Sequence, residues 1–440
     1  LRLHPAQAVA AGFAVATVIG TFLLSLPFAK AGPGSATLLE AFFTAVSAVC
    51  VTGHTVVDTK EYWTPFGHAV ILVLIQVGGL GIMVFASLIG LALARRLSLR
   101  SRMTAASEAK SVGVGDVKVL LVGIVKISAT IEGAVAVILT LRWWLGYGYD
   151  LPQALWLGVF HAVSSFNNAG FALFSGNLTS FASDPIICLP IAAAIILGGL
   201  GFPVLMQLRR ELGVTLHWSM NTKLVLWATS ILLVLGTVFI AVIEWENPRT
   251  LGDLDAGARI LAAFFQSVQT RTAGFNSVDI GALDPATLFG MDIFMFIGGG
   301  PASTAGGIKV TTFAVLFFIM YTELRGEGAV NIFGKRLSRA VHRQAITVVL
   351  LAVAVVVGST VLLMLITDFE LDVILFEVIS AFSTVGLSAG ITADLPVAGQ
   401  LILIALMFIG RLGPVTLASA IALRERRILY EYPQERPGIG

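Results

Sequence analysis

The 440 residues read as an all-α membrane protein: four parallel helix–pore loop–helix repeats, with eight transmembrane helices and four re-entrant pore helices in pseudo-four-fold symmetry around a central pore. Three observations carry that reading. The chain is 57% hydrophobic and only 12% charged, with a mean hydropathy of +0.90, too apolar for a soluble core to hide. Its long apolar runs fall into pairs. Between the members of each pair stands a shorter apolar run that ends at a glycine.

Eight runs reach the roughly 20 residues needed to cross about 30 Å of hydrocarbon: Ala8 to Phe28, Phe66 to Ala94, Val119 to Leu145, Pro185 to Leu208, Leu224 to Ile243, Thr287 to Tyr321, Ala345 to Ile366 and Gln400 to Leu423. The first has no convincing signal-peptide cleavage site after it and is taken as a span. The short runs between partners, such as Leu38 to Val49 and Leu371 to Phe382, suit re-entrant helices. The predicted units are 1–94, 95–208, 209–322 and 323–424, followed by a C-terminal tail, 425–440.

The last pore loop, FEVISAFSTVGLSAG from Phe376 to Gly390, holds Thr384-Val385-Gly386, the first half of the TVGYG filter of K⁺ channels. FFTAVSAVCVTGHT around Gly53, FHAVSSFNNAGFAL around Gly170 and FFQSVQTRTAGFNS around Gly274 align on it without gaps, with Phe43, Phe160, Phe264 and Phe376 ten residues before the glycines. A glycine suits a backbone that must turn and present carbonyls to an ion. The predicted filter residues are Val51, Thr52 and Gly53; Asn168, Ala169 and Gly170; Thr272, Ala273 and Gly274; and Thr384, Val385 and Gly386. Their backbone carbonyls would hold K⁺.

Most of the 28 Lys and Arg lie at the ends and between units: Arg2; Arg95, Arg96, Arg100, Arg102, Lys110 and Lys118; Arg209, Arg210 and Lys223; Arg325, Lys335, Arg336, Arg339 and Arg343; Arg424, Arg426, Arg427 and Arg436. By the positive-inside rule these segments and both termini are cytoplasmic, so the repeats are parallel rather than inverted. Acids such as Asp58, Glu61, Asp150, Asp184, Glu244, Asp255, Asp279 and Asp284 gather beside the pore loops. There they either enrich cations outside the pore or solvate external loops.

The sixth span is 35 residues, about 52 Å as a helix, and too long. Its middle, 298–309, contains Gly298, Gly299, Gly300, Pro301, Ala302, Ser303, Thr304, Ala305, Gly306 and Gly307, ending in Ile308 and Lys309. Five glycines at about 1 kcal/mol each and a proline at about 3 predict a break at membrane depth, and a gate below the filter. No GxxxxGK[ST] phosphate loop is present. Arg411, within the last span, is the other predicted gate residue. An intramembrane cation there faces protein or water, as either a structural clamp or an electrostatic barrier. Arg271 is expected to point behind the filter to carbonyls or to an acid such as Glu377, and mid-span Glu132 to be paired. Cys50 and Cys188 read as packing residues. The six histidines show no HxxxH or HExxH spacing, which leaves a polytopic membrane enzyme disfavoured.

On these residues the whole chain resembles the superfamily of K⁺ transporters that comprises the bacterial Ktr and Trk translocating subunits and the plant and fungal HKT and Trk proteins. With eight spans it is most similar to the KtrB type. The resemblance implies a filter built from Gly53, Gly170, Gly274 and Gly386, a gate at 298–309, and a basic residue beneath the filter at Arg411. Glycine rather than serine at position 53 points to K⁺, with a Na⁺-coupled or Na⁺-selective carrier as the alternative. It further implies gated passive K⁺ uptake, a bacterial plasma-membrane location, a homodimer, and a cytoplasmic RCK-type ring of nucleotide-binding KtrA-like subunits. No organic cofactor in this chain and no nucleic-acid partner are expected, and no catalytic residue is assigned.

Overall fold

The computed structural model describes residues 5–96 and 117–413. Most of the basic linker between the first two units and the whole C-terminal tail therefore lie outside the described residues, as do Arg2, Arg424, Arg426, Arg427 and Arg436. Within them the expected all-α membrane architecture is present. The first unit comprises α1 (Pro5–Leu24), α2 (Leu38–Val49) and α3 (Pro65–Arg96). The second comprises α4 (Val117–Tyr147), α5 (Leu151–Phe166), α6 (Pro185–Leu200) and α7 (Phe202–Glu211). The third has α8 (Met220–Glu244), α9 (Ala256–Gln269), α10 (Pro285–Phe296) and α11 (Val310–Leu324). The fourth has α12 (Arg339–Ile366), α13 (Leu371–Phe382) and α14 (Val397–Leu412), preceded by a small hairpin, β1 (Asn331–Ile332) and β2 (Lys335–Arg336).

The short helices α2, α5, α9 and α13 are the pore helices. Each is apolar and closes with a run of buried residues, whereas the long helices leave Val, Leu and Phe side chains exposed, as a lipid-facing surface requires. Phe43, Phe160 and Phe376 are fully buried anchors of three pore helices; in the third, Phe265 takes that place and Phe264 is half-buried. Thr37 starts α2 with a reciprocal capping box to Glu40, and Asp255 accepts from Gly257 and Ala258 to start α9.

One span departs from expectation. The run from Pro185 to Leu208 is not a continuous helix, because α6 stops at Leu200 and α7 leaves it bent by 101°. Gly201 makes the corner at φ +94 and ψ +147, a conformation essentially confined to glycine, and Pro203 then sits in the first turn of α7, where its missing N–H costs nothing. The sixth span is broken as predicted, between α10 and α11. Helix α14 closes at Gly413 (φ +83) with Arg411 in its last turn, and the rest of the expected span, 414–423, lies outside the described residues.

Candidate ion pathway

Every pore helix ends by the same device. In α2 the chain leaves the helix through Val51 at φ +55, and the following amide, Thr52 N, donates to Ser47 O at 2.8 Å. This is a Schellman ending with a non-glycine residue in the left-handed position. In α5 the residue is Asn168 (φ +58), with Ala169 N donating to Ser164 O at 2.7 Å. In α13 it is Thr384 (φ +51), with Val385 N donating to Ser380 O at 2.8 Å. In the third unit the left-handed residue, Thr272 (φ +63), keeps the same register to its glycine, but Ala273 N donates to Gln269 O at 3.0 Å, four residues back rather than five. Such backbone costs on the order of 1 to 3 kcal/mol per residue when it is not glycine. Hydrogen bonds to the helix ends hold it in place.

The ending throws the next glycine outward on a left-handed turn, and the four glycines meet. A methyl group built on Gly170 would stand 2.6 Å from Ala273 O. On Gly53 it would run into Ala169 O, on Gly274 into Val385 O, and on Gly386 into Thr52 O. First unit touches second, second third, third fourth and fourth first, so the contacts close a ring. Side chains support it from behind: Ser47 Oγ accepts from Gly53 N at 3.1 Å, Ser380 Oγ from Gly386 N at 3.2 Å, and Gln269 Oε1 from Phe275 N at 3.0 Å. The hydroxyls of Thr52, Thr272 and Thr384 are buried with no protein partner among the described residues.

Outside the ring opens a cavity of about 440 Å³ that all four glycines line. Of the acids beside the loops, only Asp58 and Asp279 line it. The others mostly cap helices or bond within the loops. Asp184 accepts from Ile186 N at 2.9 Å and Asp284 from Ala286 N at 2.8 Å, while buried Glu244 accepts from the hydroxyls of Thr250 and Thr287, both at 2.6 Å.

One pore-helix register braces the chain as it leaves the ring. His161 Nδ1 bonds Leu157 O at 2.8 Å and its Nε2 accepts from Leu173 N at 3.3 Å. In the fourth unit Glu377 holds that place, accepting from Ser388 Oγ and, at 3.1 Å, from Thr392 Oγ1. His54 of the first unit lies 3.4 Å away, so the brace joins units one and four. This overturns the Arg271–Glu377 pairing. Arg271 follows the C-terminal end of its pore helix and bonds the carbonyl of Phe294 and, at 3.4 Å, Thr270 Oγ1, whereas Glu377 sits in the middle of α13 and is taken up by Ser388 and Thr392. The carbonyl alternative is the one realised. Glu132 is paired, as expected, but with amides: it accepts from Gln76 Nε2 at 3.2 Å and from Asn167 Nδ2 at 3.2 Å.

Below the ring, residues 298–309 of the third unit form a largely buried loop tied to the second and fourth units. Gly300 N donates to Gly199 O at 2.8 Å, and Phe202 N, at the α6–α7 corner, donates to Ala302 O at 3.1 Å. Ser303 Oγ folds back onto Gly300 O at 2.6 Å and Lys309 Nζ onto Ala305 O at 2.7 Å. Gly306 packs against Thr384 Oγ1, where a Cβ would collide, and Gly307 lies close against Ser383. Thr304 is the centre of the fastening. Its hydroxyl donates to Asn168 Oδ1 at 2.8 Å, and its carbonyl accepts from Arg411 Nη1. Arg411, 4% exposed, gives its other arm to Gly78 O at 3.0 Å. Gly298, Gly299, Gly300, Pro301 and Ala305 complete the loop, with Pro301 half-buried.

A second glycine register escaped the sequence reading. Gly78, Gly198 and Gly410 each lie where a Cβ would strike the last carbonyl of a pore helix, Val49, Phe166 and Phe382 respectively. At the matching Gly298 of the third unit the obstacle is Gly306 O of the loop itself. Arg411 comes directly after Gly410 as Gly79, Gly199 and Gly299 come after theirs, so the arginine occupies a position where the other units have no side chain. The repeated Gly-Gly signal was present in the sequence.

The family described as TrkH, cation transport protein, matches residues 4–428. The chain is 39% identical to the Ktr system potassium uptake protein B of Bacillus subtilis, over 97% of this chain and 95% of that one. It is 40% identical to the protein of the same name from Vibrio alginolyticus, over 94% and 90%, and 34% identical to the potassium/sodium uptake protein NtpJ of Enterococcus hirae, over 100% and 98%. The crystal structure of the potassium transporter TrkH from Vibrio parahaemolyticus shares the fold, with a TM-score of 0.73 at 20% identity over 94% of this chain and 85% of that one. These matches and the apolar helices make this a multi-pass membrane protein of the Trk/Ktr type, similar to the KtrB proteins. The chain belongs to the TrkH family of cation transport proteins.

Proposed function

We propose that this chain is the ion-translocating subunit of a potassium uptake system and conducts K⁺ passively through the ring of Gly53, Gly170, Gly274 and Gly386. The observation that carries this is the closed four-unit contact of glycines and carbonyls beneath a mouth cavity. Backbone oxygens from the four units, with the unpartnered hydroxyls of Thr52, Thr272 and Thr384 beside them, replace water around a dehydrated K⁺. The C-terminal ends of four pore helices add partial negative charge toward the same point. The loop 298–309 and Arg411 close the pathway below. With an inside-negative membrane, about 2.3 kcal/mol per 100 mV drives entry.

The fastened loop is the closed state, and control comes from a separate cytoplasmic ring of nucleotide-binding subunits acting on a homodimer of this chain in the bacterial plasma membrane. The name of the Bacillus relative, a protein "B" of a Ktr system, supports a multi-component assembly. The name of the Enterococcus relative, potassium/sodium uptake protein, favours one second reading, in which Na⁺ shares or drives the pathway.

Reversal potentials of the purified protein in vesicles with opposed K⁺ and Na⁺ gradients decide between these. A potential that tracks K⁺ alone is expected. One that tracks Na⁺ equally overturns K⁺ selectivity, and failure of the chain to restore growth of K⁺-uptake-deficient cells in low K⁺ overturns uptake altogether.

A further inference from the structure

A cavity of about 520 Å³ lies between α4 and α7, away from the ring, lined by Lys126, Ile127, Thr130 and Ile131 of α4 and by Leu205 and Arg209 of α7. The α4 residues are spaced to share one helix face, and Leu205 and Arg209 are one turn apart on α7. The groove thus has an apolar floor and two cations. Both cations are exposed, no acid lines the groove, and among the described residues neither side chain is in an ion pair or hydrogen bond. The hydroxyl of Thr130 is spent on Lys126 O at 2.7 Å.

Position decides what fits. Lys126 is inside the Leu121–Tyr147 apolar segment, next to Val125 and one turn from Val122, which are 52% and 43% exposed on a lipid-facing helix. So near the start of the segment a lysine head reaches the membrane interface, where its charge suits an anionic partner. Nothing in the described protein meets it. A ligand with a negative head and long apolar tails satisfies both halves of the groove, since the head reaches Lys126 and Arg209 while the tails lie along Ile127, Ile131, Leu205 and the exposed valines. Basic pockets between membrane helices select lipid head groups in this way.

We propose that the α4–α7 groove binds the phosphate of an anionic membrane phospholipid. The site is independent of the conduction assignment. It nevertheless touches the loop through one short helix, because α7 begins at Phe202, whose N–H donates to Ala302 O. An occupant that steadies α7 braces the corner on which the loop leans.

The test reads binding, not flux. Purified protein in detergent is titrated with dioctanoyl phosphatidylglycerol, and the thermal unfolding midpoint is recorded. A saturable rise is expected for the wild type, with a half-saturating concentration about thirtyfold higher in K126Q/R209Q, the effect of losing two interfacial cations. K126R/R209K, which keeps both charges, should stay within about threefold of wild type. Since both positions are exposed, the glutamine variant is expected to elute and unfold like wild type in the absence of lipid.

An equal response in wild type and K126Q/R209Q overturns the proposal. So does an equal response to dioctanoyl phosphatidylcholine, which would reduce the groove to an apolar crevice, or to inorganic phosphate, which would make it a soluble-anion site. A change of oligomeric state in K126Q/R209Q with lipid response intact would assign the groove to a second copy of the chain instead.

Discussion

Glu377 is wholly buried where the first and fourth units meet, and His54, Ser388 and Thr392 gather around its carboxylate. Replacing it by Gln keeps volume and hydrogen-bonding capacity, whereas Val removes the acceptor shared by Ser388 and Thr392, at about 1 to 3 kcal/mol for each group left unmet. Glu377→Val is therefore expected to lower the thermal midpoint and shift the reversal potential toward Na⁺, with Glu377→Gln close to wild type in both. If Val and Gln behave alike, the brace has no part in shaping the ring. Thr304 is argued the same way. Thr304→Val removes one hydrogen bond of about 1 kcal/mol and should raise K⁺ flux about fivefold, and Arg411→Ala, which removes two charge-assisted bonds, should raise it at least tenfold. Flux at wild-type level in both would mean the fastening does not limit conduction. The glycines of the ring were legible from one aligned register, but the partners of Arg271 and Glu377 were not. The aligned register already set the two at different depths, three residues before Gly274 for Arg271 and nine before Gly386 for Glu377, but spacing along a pore helix does not say which neighbouring segment a side chain faces, and so the partners stayed hidden.

The broken spans show where element-scale reading works and where it stops. Five glycines and a proline made the loop between α10 and α11 plain. The corner at Gly201 was hidden because Gly198-Gly199-Leu200-Gly201 repeats Gly78-Gly79-Leu80-Gly81, and in the first unit that run stays helical within α3. The next two residues make the difference. Phe202-Pro203 stands where the first unit has Ile82-Met83, and the proline starts a new helix more readily than it continues the old one. The corner is also a docking point, for a Cβ on Gly201 would meet Pro301 O. Gly201→Ala should cost on the order of 1 to 3 kcal/mol in stability and, by displacing the loop, raise basal flux; an unchanged midpoint with unchanged flux would show that the corner tolerates a side chain. Deleting Gly300–Gly306 removes the fastened segment outright. A folded deletion protein with wild-type flux would take the loop out of the gate.

Across the whole molecule, the ring gathers backbone from Gly53 to Gly386, so no unit can complete it alone. That arrangement makes ion occupancy a term in global stability. A ligand bound only by the folded state stabilises it by about 2.7 kcal/mol at a hundred times its dissociation constant, and an ion coordinated by four units is such a ligand. The thermal midpoint in detergent is expected to rise with K⁺ concentration and to rise less with Na⁺ at equal ionic strength, since the smaller ion is met less well by the same carbonyls. Choline at the same concentration controls for screening of surface charge. Gly386→Ala, which puts a Cβ onto Thr52 O and forces alanine into φ +92, should abolish the K⁺-dependent part of the rise while leaving the choline curve in place. A wild-type midpoint indifferent to K⁺, or a Gly386→Ala protein that still gains from it, would place the ion somewhere other than among these four glycines.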